Sequence, residues 1–158
     1  MRSGREADTE GTGFRPARWA WTTITAWLLL VLQGFAVIGR GIDLGSGSDE
    51  ARWAAVLDAY ERGFAIAVVP VILVAVIVWR LRKKGTEIDE RAAAAFGVLA
   101  VVVLVLGLAC ALFHLPEAQE ARLSVVTALW VLGAALLAAS VWMRHVPRSW
   151  WPRGGVSA

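Results

Sequence analysis

The feature that most restricts this chain is a set of long stretches without a single charge. From Trp19 to Gly39 there are 21 uncharged residues. As a helix rising about 1.5 Å per residue, that stretch is about 31 Å long, the thickness of a bilayer's hydrocarbon core. Residues 92–113 and 123–143 are uncharged in the same way. A fourth stretch, Gly63 to Trp79, has 17 residues and sits near the lower limit for a crossing. It becomes long enough when the helix is counted back through an amphipathic segment. There Trp53, Val56, Leu57 and Tyr60 are apolar, while Asp58, Glu61 and Arg62 are not.

Composition agrees. The chain is 58% hydrophobic and 18% charged, against about 45–50% and about 25% in soluble domains. Its 158 residues cannot bury that much apolar side chain in a soluble core. The sequence therefore predicts an all-α integral membrane four-helix bundle with short loops. The spans are expected at about 19–39, 63–79 with an outer extension over 49–62, 92–113 and 123–143. Residues 1–18 read as a disordered tail, and 144–158 as a basic interfacial tail with Trp150 and Trp151 between two prolines. A cleaved signal peptide is a poorer reading of the first span. The stretch exceeds an h-region of about 7–15 residues, and Val37-Ile38-Gly39 is not a small-x-small cleavage site.

Local signals divide the spans. Gly39, Gly41, Gly45 and Gly47 are expected to break the first helix, and Ser48 to cap the second, with Asp49 and Glu50 in its first turn. Asp58 and Arg62 stand four apart and can pair on one face. Pro70 removes a backbone donor and predicts a kink. Gly85 closes that helix, Thr86 caps the next, and Pro116 suits the first turn of the last.

Charge sets the orientation. Segments 1–18, 80–91 and 144–158 carry 12 of the 16 Lys and Arg residues, and the two alternate segments are net negative. Under the positive-inside rule both termini face the cytoplasm, and the plasma membrane is the expected location. Trp19, Trp21, Trp79 and Trp142 fall at the predicted inner interface and Trp53 near the outer one. The scarcity of lysine beside abundant Ala, Val, Gly and Arg suggests a GC-rich bacterial genome.

Few residues carry chemistry. His114 is expected at the outer end of the third span and His145 at the inner end of the fourth, so a bilayer separates them and they cannot share a haem. Cys110 and His114 are four apart and make at most half of a Cu(I) or Zn site. The ordinary reading is a small buried thiol and an interfacial histidine, so no cofactor is expected. No charge lies deep in a span, where an ion path would need one; Gln33, Thr127 and Ser140 are the most polar groups there. Asp58 and Glu61 can do acid–base work in principle, but no catalytic motif accompanies them.

Two features remain. Small residues recur four apart at Ala93 and Gly97, Gly107 and Ala111, Ala134 and Ala138, and Ala135 and Ala139, a spacing that packs helices closely. Arg80, Arg82, Lys83 and Lys84 form a basic run suited to anionic lipid or a protein partner. The expected partners are the lipid bilayer and another membrane protein or a second copy, with no role for nucleic acid. The expected function is that of a non-enzymatic accessory or regulatory subunit working through helix packing. The alternative is a transport protein, an exporter or pore complete only as an oligomer.

Overall fold

The computed structural model describes residues 18–45, 50–83, 86–112 and 119–145. They form four helices: α1 (Arg18–Gly45), α2 (Glu50–Arg82), α3 (Thr86–Leu112) and α4 (Gln119–His145). All four are long and apolar enough to cross a membrane. The N-terminal tail lies outside the described residues, as do Gly47, Ser48, Asp49, Lys84, Gly85, His114, Pro116, Glu117, Trp150 and Trp151.

The helices run beyond the uncharged stretches because those stretches measure an apolar thickness, not a helix length. α3 begins at Thr86, six residues before its uncharged part, and α4 extends to His145. Pro70 lies within α2, which continues on both sides of it.

The expected break at Gly39 and Gly41 does not occur: α1 continues to Gly45. A glycine inside a helix costs only about 1 kcal/mol relative to alanine, and packing outweighs that here. A Cβ on Gly41 would overlap the Tyr60 hydroxyl, and one on Gly45 would stand 2.7 Å from the Trp53 ring. These glycines are seats for aromatic side chains of α2. Gly39, by contrast, faces open space.

α4 is the hub. It packs extensively on α3 and α2, and α1 rests on α3 and α4. α2 touches α1 and α3, its neighbours in sequence, only sparsely. Half of the most apolar stretch of α4 is buried, against 6% of that of α2, so α2 is the peripheral helix. α4 suits its role by being slim on several sides: Ser124, Thr127, Ala128, Gly133, Ala139 and Ser140 are all buried.

One seam of α3 explains its place. Ala93, Gly97, Ala100, Leu104, Gly107 and Ala111 are all buried and alternate at spacings of four and three. That period keeps one stripe facing its neighbours, and small residues let the backbones approach. Gly133 of α4 receives the Leu104 side chain, where a Cβ would stand 2.5 Å from Cδ2. The two small-residue pairs foreseen on α3 are thus parts of one continuous seam. On α4, Ala139 is buried and Ala135 half-buried, while Ala134 is half-buried and Ala138 exposed.

The loop end of the bundle holds Gly45, Glu50, Leu112 and Gln119. The terminal end holds Arg18, Arg82, Thr86 and His145.

Candidate functional site

Three groups of polar side chains stand out, at mid-depth and at each end. At mid-depth Gln33 of α1 is fully buried. Its Nε2 donates to the Val126 carbonyl of α4 at 3.2 Å. One turn away the exchange is returned: Trp130 Nε1 of α4 donates to the Leu30 carbonyl of α1 at 3.0 Å. The Gln33 amide lies on Gly107 of α3, whose missing side chain makes room for it. Three helices therefore meet at one glutamine. Ser140 closes a similar tie nearer the terminal end, donating to the Ala93 carbonyl of α3 at 2.7 Å.

These bonds use side-chain donors on helix carbonyls already engaged in their own ladders, so they join helices without opening them. In an apolar surrounding each is worth about 0.6–2 kcal/mol. Gln33 Oε1 and Thr127 Oγ1 have no hydrogen-bond partner among the described residues. Thr127 serves packing: Gly63 of α2 sits against its Cβ, and an added methyl there would stand 2.7 Å from both that atom and the Ser124 carbonyl oxygen.

At the loop end two arginines close the last turn of α3. Arg40 of α1 donates to the Ala111 carbonyl at 3.1 Å, and Arg122 of α4 donates through Nε to the Cys110 carbonyl. The last four carbonyls of a helix have no partner within it and form its negative end, so cations stabilise them twice over. Arg40 also lies 3.9 Å from Asp43. The two arginines line a small pocket with Leu44, Ala111, Gln119, Leu123 and Val126. Its volume of about 30 Å³ has room for one or two waters.

α2 is fastened at the same end. Tyr60 Oη donates to the Val37 carbonyl at 2.9 Å. Asp58 and Arg62 pair at 2.8 Å, as their spacing predicts, and Arg62 also reaches Glu120 of α4 at 3.7 Å. All these groups are about half exposed, so the pairs add at most about 1 kcal/mol. The carboxylates expected to offer acid–base chemistry are thus engaged with arginine or open to solvent. Cys110 is partly buried, and His114, its proposed companion, is outside the described residues. Among the described residues no three His, Cys, Asp or Glu side chains gather as a metal site.

At the terminal end the basic run divides. Arg82 turns inward, is 7% exposed, and donates to the Trp142 carbonyl of α4 at 2.7 Å. Its guanidinium also stands 6.0 Å from the Trp142 ring. It caps the α2–α4 contact and is not a surface contact. Arg80 and Lys83 face outward. Lys84 is outside the described residues.

Sequence reasoning missed four of the residues that build these sites: Arg40, Tyr60, Trp130 and Arg122. A signal existed for Trp130, a tryptophan in the middle of an apolar stretch rather than at its edge. A buried indole needs an acceptor, which only a neighbouring helix can offer there. Arg40 and Arg122 each stand within a turn of a span end, where a cap is useful, but the sequence does not say whose carbonyls they reach.

The class defined by these observations is an all-α bundle of four helices, each able to span a membrane, tied by side-chain-to-carbonyl bonds. Comparison with protein-family models, with curated proteins and with solved structures finds no match.

Proposed function

We propose that the chain is a four-span integral protein of the plasma membrane, with both termini cytoplasmic. In this reading it is no enzyme but an accessory or regulatory subunit that works through helix packing. The observation that carries the reading is the position of α2. It is held by α4 and by a few contacts to α1 at the loop end. Its flank from Phe64 to Trp79 presents Ile66, Val69, Ile72, Leu73 and Ile77 outward. The polar groups of the interior, by contrast, are largely spent on ties between helices, and the pocket beside Arg40 is water-sized. The chain's chemistry thus supports its own packing, and its outer surface is what remains to act on a neighbour.

Photo-crosslinking in native membranes tests this. A photoreactive residue at Leu73 or Ile77 is expected to capture one different membrane protein reproducibly. Self-adducts as the main product would favour the oligomeric transport protein instead. Adducts with lipid alone would overturn the subunit reading. Orientation is tested separately by reporter fusions, which should read outside at Gly45 and Glu117 and inside at Gly85 and Val156. A cytoplasmic signal at Gly45 would sink the four-span topology.

A further inference from the structure

We infer that the terminal end of α2 is a binding site for the headgroup of an anionic phospholipid, formed by Arg80 and Lys83 around Trp79. The inference rests on reading the helices as membrane spans.

The site starts from the way α2 ends. After Arg82 the backbone tightens, and the Lys83 amide donates to the Arg80 carbonyl at 3.2 Å. That turn folds Lys83 back over the preceding turn, with its ammonium 3.9 Å from the centre of the Trp79 ring. An ammonium so placed is held by the ring's negative face and keeps its donors for a second ligand. Arg80 stands beside it, and the two cations line an open notch with Trp79, Ile77 and Leu81. Among the described residues no carboxylate pairs with Arg80 or Lys83. The cations of the loop end differ: Arg40 and Arg122 are spent on α3 carbonyls, and Arg62 on Asp58 and Glu120.

Chemistry selects the occupant. Two cations without a carboxylate partner among the described residues call for a phosphate. The apolar side of the notch, Ile77, runs on into the exposed flank of α2 at Val76 and Leu73. A free phosphate has no use for that flank, whereas an acyl chain does. Trp79 marks headgroup depth between the two. The negative end of the helix would oppose an anion, but the Lys83–Arg80 backbone bond engages one of its last carbonyls, and the charges of Arg80 and Lys83 themselves offset the rest at close range. Arg82 itself takes no part in the site, because its guanidinium is turned onto α4.

The test is native mass spectrometry of the full chain in detergent, titrated with phosphatidylglycerol and with phosphatidylcholine. The wild type is expected to retain phosphatidylglycerol about tenfold better, given two basic residues at a headgroup. The double variant Arg80→Gln/Lys83→Gln should bind the two lipids alike. Arg82→Gln should keep the preference. Millimolar inorganic phosphate should not displace the lipid. Equal binding of both lipids by the wild type, an unchanged preference in the double variant, or displacement by phosphate would each overturn the site. If the double variant loses helicity, Lys83→Gln alone carries the test, with a loss of about threefold expected. Release of the chain from membranes by alkaline carbonate would refute the membrane reading itself, whereas failure at Arg80 and Lys83 alone leaves that reading standing.

Discussion

Gly107 offers the sharpest test of how the bundle is held. An alanine there would place its Cβ on Gln33 Nε2, 2.7 Å from Cδ and 3.0 Å from Oε1. The amide is the end of a flexible side chain, but Gln33 is fully buried and has nowhere to go without leaving Val126. Two costs follow. The lost interhelical bond is worth about 0.6–2 kcal/mol, and overpacking a tight site adds about 1–3 kcal/mol. Against these stands a gain of up to about 1 kcal/mol in helix propensity. Gly107→Ala is therefore expected to destabilise by about 1–4 kcal/mol. The reasoning makes a stricter claim, because the cost should depend on the glutamine. In a Gln33→Ala background the clashing atoms are gone, and Gly107→Ala should be neutral or stabilising. The coupling between the two substitutions should reach about 2 kcal/mol, well beyond the scatter of independent sites. Unfolding by sodium dodecyl sulfate in mixed micelles, followed by far-ultraviolet circular dichroism, measures all four members of the cycle. Equal losses in both backgrounds would refute the claim that Gly107 is kept open for Gln33.

Other substitutions separate glycines by what surrounds them. Gly63→Ala should cost about 2–4 kcal/mol, because the obstacle is the Ser124 carbonyl of a helix backbone, which cannot rotate away as a side chain can. Gly39→Ala, with nothing within 4 Å, should instead stabilise by about 0.5–1 kcal/mol in the same assay. Ser140→Ala should cost about 1 kcal/mol through the lost bond to Ala93 and loosen the α3–α4 pair, read as faster amide exchange near Ala93. Joint Arg40→Gln and Arg122→Gln should fray the last turn of α3, visible as faster exchange confined to its final turn while the mid-depth junction stays protected.

Which parts of this could be read from the sequence follows from the physics of each. Four helices were legible because a charge-free stretch of about 20 residues leaves a chain few options beyond a helix that buries its own backbone bonds in an apolar surrounding. The Asp58–Arg62 pair was legible too, since four residues along a helix always bring side chains together. The end of α1 was misjudged, because a glycine costs a helix only about 1 kcal/mol: α1 carries that cost at the open Gly39, and the packing of Tyr60 and Trp53 offsets it at Gly41 and Gly45. The fate of Arg82 was also hidden. Arg82 is adjacent to Lys83 in sequence, but one step along a helix is about 100° of rotation, enough to turn one side chain onto α4 and the other away.

The sequence by itself thus determined the number of helices, their apolar character and the concentration of basic charge at one end, since these depend on local composition and the 3.6-residue period alone. Only the tertiary structure decided that α4 is the hub and α2 the outlying helix. It alone joined Gln33, Gly107 and Val126 at one junction, and it alone divided the basic run into a buried cap at Arg82 and an open pair at Arg80 and Lys83. On the proposed reading as membrane spans, four apolar helices have no hydrophobic reason to prefer one neighbour over another. The choice falls to where glycines and alanines let backbones approach, and to which carbonyl a buried donor can reach.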